Sequence, residues 1–249
     1  MKTLYMNVDS TDIAKNVLFS GDPWRVETVA GYLTDPKRVA FKREFNTYTG
    51  TYKGMPVTVT STGIGAPSAA IAMEEMYEAG MEVAVRMGTV MSLREGTLGK
   101  FIIPYASMRM EKTSATYVPE GYPAVADLDL VQCMNQTVKR MGGEYINGIG
   151  CSMDGFYSMM HDSRLSKELN IDMSVMFEKL KNIRICGVDM ESSCILTLGQ
   201  LMGIKACVLT IVTVLENLKD ALEGEERIAA EDLLCRVALE GIYNYRYHV

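Results

Sequence analysis

An arginine inside an apolar run is the residue that most needs a chemical explanation. The stretch EVAVRMGTVMSL (82–93) predicts a buried strand between Gly80 and Gly88, with Arg86 at the carboxyl end of that strand. A buried guanidinium without a partner is costly, so Arg86 requires an internal carboxylate or a bound anion. Ligands of α/β sheets bind beyond the carboxyl ends of strands, and Thr89 follows closely, so the position favours an anion.

Two further arginines could contribute to an anion site. In SGDPWR, Asp22 and Pro23 predict a helix N-terminus, where free N–H groups and the helix dipole attract anions, and Arg25 lies on the first turn. The motif is equally typical of an ordinary helix start, with Gly21 allowing an unusual backbone angle. Arg43, in AFKREF, lies in a strand pattern, where an arginine usually points to solvent. Three arginines plus a hydroxyl could hold a phosphate dianion.

Acidic residues follow two of the later strands. GVDMESSC places Asp189 and Glu191 at a strand-to-helix junction, where they could favour the helix dipole or grip a sugar diol. Glu216 follows the most apolar strand, and Arg227 begins the last helix 11 residues later. This pair could be an acid oriented by a cation, although a plain salt bridge is the simpler interpretation of the pair alone.

Glycines in STGIGAP (61–67) join a strand to a helix. The spacing begins like a dinucleotide-binding motif, but Ser68 occupies the last glycine position and no acidic residue ends the next strand. The stretch therefore predicts a structural turn with backbone room for a small ligand.

Composition limits the class of protein. The 249 residues alternate strand and helix patterns, which predicts one α/β domain over 1–249. A net charge of −6 argues against nucleic-acid binding, and no apolar run is long enough to span a membrane. Six cysteines without a CxxC predict buried thiols and a cytoplasmic location. The two histidines, His161 and His248, give little support to a catalytic triad or a histidine metal site.

Together these residues resemble the hexameric nucleoside phosphorylase family of purine nucleoside phosphorylases, uridine phosphorylases and related nucleosidases. The resemblance covers nearly the whole chain and rests on the order of GDPWR, REF…TYTGTYKG, STGIGAPSAAIAMEE, VRMGT, YPAVADLDL, DGFYS, VDMES and ERIAAEDLLCRVALE. It implies a three-layer sandwich with a central mixed β-sheet flanked by helices, and a homo-oligomer built as a dimer or a trimer of dimers. It implies no metal and no cofactor, with inorganic phosphate as the co-substrate that converts a nucleoside to free base and ribose 1-phosphate.

The resemblance also implies a role for each candidate residue. The positions that match phosphate contacts are Gly21, Arg25, Arg86, Thr89 and, lent by the neighbouring subunit, Arg43. The positions that match ribose contacts are Met190, Glu191 and, from the neighbouring subunit, Tyr5. The positions that match base contacts are Met91, Phe156 and Val188. Glu216 and Arg227 align with the acid that protonates the leaving purine and with its arginine partner.

Several positions depart from the family pattern. Tyr5 replaces a histidine, Glu216 replaces an aspartate, and Met91 replaces a glycine near the base. FYSMMHD presents Met160 and Asp162 where the uridine enzymes recognise uracil with a glutamine and an arginine. The uracil contacts are therefore missing, and this favours a purine substrate.

We therefore predict a pentosyltransferase that phosphorolyses a purine nucleoside. Uridine phosphorylase is the nearest alternative, because SATYVPEGYPAVAD is closer to the uridine branch. A hydrolytic nucleosidase would not need three phosphate-directed arginines. A non-catalytic nucleoside-binding protein is a further alternative, because the residues near the base and ribose depart from the family pattern.

Overall fold

The chain forms one mixed β-sheet with helices packed on both faces, as predicted. The computed structural model describes residues 1–248 apart from the side chain of His248; Val249, the last residue of the predicted domain, lies outside the described residues. The strands are β1 Asn16–Ser20, β2 Thr34–Lys42, β3 Phe45–Tyr52, β4 Met55–Ser61, β5 Val83–Ser92, β6 Phe101–Ile102, β7 Ala106–Arg109, β8 Ala124–Val125, β9 Tyr145–Ile146, β10 Ile149–Ser152, β11 Ile185–Asp189 and β12 Lys205–Leu215. The helices are α1 Pro23–Ala30, α2 Ala66–Glu78, α3 Leu128–Arg140, α4 Arg164–Glu168, α5 Ser174–Asn182, α6 Ser192–Met202 and α7 Gly224–His248.

Strand β5 is the centre of the sheet, and it is longer than the sequence predicts. It pairs in parallel with β12 from Val83 to Ser92, so the strand continues six residues past Arg86. Arg86 therefore lies in the middle of the strand and not at its carboxyl end, which corrects the prediction. The lengthening has a physical cause, because β12 offers a continuous apolar partner along all of β5.

Two strands share the other edge of β5. Strand β1 pairs with it in parallel as far as Met87, and β11 pairs with it in the antiparallel direction at Met91 and Ser92. Among the described residues, no strand pairs with this edge over 88–90. Because β11 is antiparallel, its carboxyl end runs back along β5 toward Arg86. The edge of the central strand is thus open where the predicted ligand residues converge.

Two groups of helices cover the sheet. Helices α1 and α3 contact α7, while α2 contacts α6, and both α6 and α7 pack against β12. Lys53 and Gly54 form the turn between β3 and β4, with φ of 50° and 82°. The start of α7 is exposed over 224–229, and Ile228 there is 71% exposed.

The sequence also predicts buried cysteines, and it contains no apolar run long enough to span a membrane. All six cysteines are free and buried, which confirms that prediction. No helix within residues 1–248 combines the length and the apolar character needed to cross a bilayer.

The contact of α6 with β12 leaves no room for a side chain at Gly199. A Cβ at this position would lie 2.5 Å from the Ala206 Cβ on β12. We expect Gly199→Ala to lower the free energy of unfolding by about 1–3 kcal/mol through overpacking, although alanine ordinarily favours a helix. Urea denaturation measures this. Gly121→Ala is the control, because a Cβ there meets nothing within 4 Å; equal stability of the two variants would contradict the packing argument.

Candidate active site

Arg86 is buried and held by two carboxylates. Its side chain is 5% exposed, its Nε donates to Asp189 Oδ2 at 3.2 Å, and its Nη2 donates to Glu191 Oε2. The guanidinium lies over Gly88, where a Cβ would come within 3.2 Å of Arg86 Cζ. The side chain therefore folds along the strand toward the open edge of β5, and Nη1 is left buried without a hydrogen-bond partner.

Asp189 organises the strand-to-helix junction. Its Oδ1 accepts from Ser152 Oγ at 2.6 Å and from the Ser192 backbone N–H at 3.2 Å, and its Oδ2 also accepts from Ser192 Oγ. It therefore provides the helix cap of α6, while Glu191, at the N-cap position, makes no side-chain cap bond. This division of roles frees Glu191 to reach Arg86.

Glu191 connects Arg86 to the glycine turn between β4 and α2. Its Oε1 accepts from the Gly65 backbone N–H at 2.6 Å. Burial raises the pKa of Glu191, and the negative charge of Asp189 raises it further. The positive charge of Arg86 lowers this pKa but does not outweigh burial. Burial disfavours the charged Arg86, but Glu191 and Asp189 outweigh it and raise the pKa of the guanidinium. Each Glu191 oxygen keeps a second lone pair that could accept a sugar hydroxyl.

Arg25 is a second buried cation, and it lies at the end of β1, the strand beside β5. Helix α1 begins as predicted, with Asp22 Oδ1 accepting from the Trp24 backbone N–H at 2.8 Å. The Arg25 Nη1 donates to Ser20 Oγ at 3.1 Å and its Nη2 to Glu231 Oε2 at 2.9 Å, while Nε is buried without a partner.

Gly21 and Thr89 lie beside these arginines in the sheet. Ser20 is in register with Met87, so Gly21 follows on beside Gly88. Gly21 does not use the unusual backbone angle that glycine allows, since its φ is not positive. A Cβ at this position would lie 3.4 Å from the Gly63 carbonyl oxygen. Thr89 is half-buried on the open stretch of β5.

The expected pairing of Glu216 with Arg227 is wrong in this structure. Arg227 Nε donates to Glu231 Oε1 at 2.9 Å, one helical turn along α7. Glu216 instead makes an ion pair through Oε1 with Lys181 at the end of α5. Burial disfavours the Glu231 carboxylate, but Arg25 and Arg227 outweigh burial and lower its pKa. Arg227 therefore belongs to the Arg25 cluster and not to Glu216.

Met91 and Val188 are direct neighbours in a methionine-rich cluster. They are paired in the antiparallel register of β5 and β11, and they are 4% and 0% exposed. Met153 and Met160 are buried in the same cluster, and Met190 packs against it. Two of the three predicted base residues, Met91 and Val188, thus form an apolar wall, and Met190 continues it toward Glu191.

Phe156 lies on a π-helical turn over Phe156–Met160 that the sequence did not predict. Its ring stacks on His161 at 5.6 Å between centroids and contacts Tyr157 edge-on at 5.0 Å. Phe156 is 38% exposed, so its ring is available to a ligand. Such turns often occur at functional sites.

A cleft of about 570 Å³ opens next to the methionine cluster. Met160 belongs to both, and Glu216 lines the cleft at the end of β12. The other lining residues are Asp162, Lys167, Asn170, Ile171, Asp172, Met173, Ser174, Phe177 and Leu218. This volume is sufficient for a small organic ligand.

Tyr5 and Arg43 contact each other at the surface, away from any carboxylate of the site. The Arg43 guanidinium lies 5.3 Å from the centre of the Tyr5 ring. Arg43 occupies the turn between β2 and β3 with φ of 56°, and not the strand position expected for it. Glu75 of α2 holds the N-terminal segment by accepting from the backbone N–H groups of Tyr5 and Met6, both at 2.7 Å.

The sequence did not identify the partners of the predicted residues. Gly88 leaves room for Arg86 within the same strand, whereas Glu231 and Lys181 reach Arg25 and Glu216 from other elements. Nothing in the local sequence marks these contacts. Asp189 was recognised as a site carboxylate, but not as the direct partner of Arg86.

Because two buried carboxylates depend on it, Arg86 should also contribute to stability. We expect Arg86→Met to lower the free energy of unfolding by about 3–5 kcal/mol, since it leaves Asp189 and Glu191 buried without their cation. Adding Asp189→Asn and Glu191→Gln should recover much of the loss. Urea denaturation of these variants measures both effects. Arg94→Met, at an exposed arginine, is the control; an Arg86→Met protein as stable as this control would disprove the dependence.

Comparison with known proteins identifies the family of this chain. The family model described as Phosphorylase superfamily matches residues 15–240. A uridine phosphorylase from Thermococcus kodakarensis is 37% identical over 202 residues, covering 80% of this chain and 73% of that protein. Purine nucleoside phosphorylase DeoD-type 2 from Aliivibrio fischeri is 30% identical over 246 residues, which cover 96% of this chain and 98% of that protein.

Solved structures show the same fold. Uridine phosphorylase from Vibrio fischeri superposes with a TM-score of 0.84 at 27% identity, covering 98% of both chains. Purine nucleoside phosphorylase from Toxoplasma gondii, solved with immucillin-H, superposes with a TM-score of 0.86 at 29% identity, covering 100% of this chain and 98% of that one. The predicted family and the mixed α/β fold are therefore confirmed, and this chain belongs to the phosphorylase superfamily as an enzyme of the nucleoside phosphorylase family.

Proposed function

We propose that the protein cleaves the N-glycosidic bond of a nucleoside with inorganic phosphate, without a resident cofactor. The observation that carries the proposal is the pair of buried, unpartnered donors, Arg86 Nη1 and Arg25 Nε. Leaving a buried donor without an acceptor costs about 1–3 kcal/mol for a neutral group, and the cost is larger for a charged group such as a guanidinium. Arg86 lies in the middle of β5, and Arg25 lies on the first turn of the helix that follows β1, the parallel neighbour of β5. An anion bound between these two arginines would satisfy both donors.

Charge balance supports a site completed by a second copy of the chain. Within one copy, Arg86 is balanced by Asp189 and Glu191, and Arg25 is balanced by a glutamate of α7. A phosphate dianion needs additional positive charge. Arg43 pairs with no carboxylate among the described residues, so it is suited to supply this charge to the neighbouring site in a homo-oligomer.

In the proposed reaction, the phosphate is the nucleophile, and protein side chains hold the ribose and the phosphate. A phosphate oxygen attacks C1′ as the bond from C1′ to the base nitrogen breaks. The bonding electrons leave with the base, and the base anion then takes up a proton from water to give the free base. Glu191 would orient the ribose hydroxyls, and Thr89 would donate to the phosphate. Holding both reactants in this geometry supplies much of the rate enhancement, and the phosphate charge stabilises the cationic sugar.

Among bases, uracil is the leading candidate. The relatives named above include a uridine phosphorylase at 37% identity, and other relatives from Treponema pallidum and Escherichia coli carry the same name at 29% identity. This replaces the purine preference expected from the sequence. A purine is the second candidate, because Met160 and Asp162 stand where uracil contacts are expected.

Activity with and without phosphate tests the proposal directly. We expect uridine, thymidine, inosine, guanosine or adenosine to release free base only when phosphate is present, with uridine among the best substrates. Arg25→Met should raise the KM for phosphate by about tenfold or more, because it removes a charge-assisted contact. Base release without phosphate would indicate a nucleosidase. Binding without turnover of any of the five would indicate a non-catalytic nucleoside-binding protein.

Mixed oligomers test whether Arg43 acts on the neighbouring site. Arg43→Ala and Glu191→Gln subunits should each have little activity alone. If Arg43 serves the adjacent copy, randomly mixed pairs regain about a quarter of wild-type activity, because one site of each heteromer is complete. Co-expression with two affinity tags isolates these heteromers. No recovery in the purified heteromer would show that Arg43 serves its own chain.

A further inference from the structure

We infer that Glu216 recognises the base through an N–H group on its imide edge, and that Lys181 is the positioning residue for this carboxylate. Uracil and thymine present such a group at N3, and hypoxanthine and guanine present it at N1. The inference rests on the proposed function, because it assigns the base end of the same site. It gives Glu216 a recognition role in place of the role of a purine-protonating acid.

The two oxygens of Glu216 have different surroundings. Oε1 is engaged by the Lys181 ammonium group, whereas Oε2 is buried and has no hydrogen-bond partner. A carboxylate oxygen only accepts hydrogen bonds, so a ligand that satisfies Oε2 must donate one. Among the described residues, Glu216 is the one carboxylate with such a buried, unpartnered oxygen.

Backbone geometry places Glu216 at the base end of the site. Its backbone N–H donates to the Ser92 carbonyl oxygen at 3.1 Å, so it lies beside the residue that follows Met91. Met91 faces Val188 across the two strands, and Met160 joins their cluster to the cleft that Glu216 lines. The carboxylate is therefore at the polar end of an apolar wall.

Asp162, the other candidate acceptor, is less suited to this role. Its side chain is 56% exposed and lies 3.7 Å from Lys167 Nζ, so water and this ammonium group already satisfy it. Met160 offers a thioether, which is a weak acceptor. The glutamine-like acceptor missing from the FYSMMHD stretch is thus replaced from a different element, by Glu216 after β12.

Substrate choice follows from the chemistry of one acceptor. A base with a ring N–H opposite Oε2 gains a charge-assisted hydrogen bond. Cytosine has an unprotonated nitrogen at N3, and its lone pair would oppose the carboxylate. N3-methylation of uracil removes the donor without changing the glycosidic bond. Uridine should therefore be preferred over cytidine and over 3-methyluridine.

The test compares uridine with 3-methyluridine in wild-type and variant enzymes. We expect the wild type to favour uridine in kcat/KM by about 10- to 100-fold, the range for a hydrogen bond to a charged group. Glu216→Leu should lower kcat/KM for uridine by a similar factor and leave that for 3-methyluridine nearly unchanged. Glu178→Leu, at an exposed position on α5, is the matched control and should behave as wild type.

Lys181 is tested by loss and rescue. Lys181→Met should narrow the preference for uridine mainly through KM, because Glu216 loses the cation that orients it. Lys181→Arg should restore the preference, since arginine can also pair with the carboxylate. A purely structural lysine would change stability and both substrates alike.

Two outcomes would overturn the inference. One is an equal loss on both substrates in Glu216→Leu, and the other is a wild-type enzyme that accepts 3-methyluridine as well as uridine. If no nucleoside is phosphorolysed, the proposed function fails, and calorimetric binding of uridine and 3-methyluridine in the presence of phosphate replaces kcat/KM as the readout. Equal affinities of these two ligands, or a preference unchanged by Glu216→Leu, would then contradict the inference separately.

Discussion

The burial of one guanidinium constrains the whole centre of this protein. A cation within the central strand of a sheet needs compensating charge, and Asp189 and Glu191 supply it from the end of the neighbouring strand. The antiparallel course of β11 delivers both carboxylates to the side of Arg86. Gly88 leaves space for the guanidinium, and Gly65 ties Glu191 to the glycine turn after β4. Strand, junction and turn are thus joined through a single side chain.

This centre also differs from a plain network of salt bridges, because some of its buried polar atoms have no hydrogen-bond partner. Most buried polar atoms in a folded protein have partners, and exceptions indicate function. Of the five buried unpartnered side-chain atoms among the described residues, three belong to Arg25, Arg86 and Glu216. Two are donors suited to an anion, and one is an acceptor suited to a base. The unsatisfied groups are therefore divided between the two reactants of the proposed reaction.

Local sequence was sufficient for much of the fold. The helix start at Asp22, the turn at Lys53 and Gly54, and the apolar course of β5 and β12 all follow from turn chemistry and hydrophobic pattern. Short irregular pieces were missed, including the π-helical turn over Phe156–Met160, because such turns have no periodic signature. The length of β5 was also missed, since its final residues depend on a partner strand more than a hundred residues later.

The sequence by itself determined which residue types could do the chemistry, because a buried arginine needs a partner and a carboxylate at a strand-to-helix junction can interact with a helix N-terminus or a ligand. Only the tertiary structure decided which of them meet. Glu216 pairs with Lys181 and not with Arg227, and Arg227 joins Glu231 near Arg25. An ion pair depends on distances of a few ångströms between elements that are far apart in the chain. Residue identity and spacing contain no such distances, and the packing of α5 and α7 against the sheet establishes them.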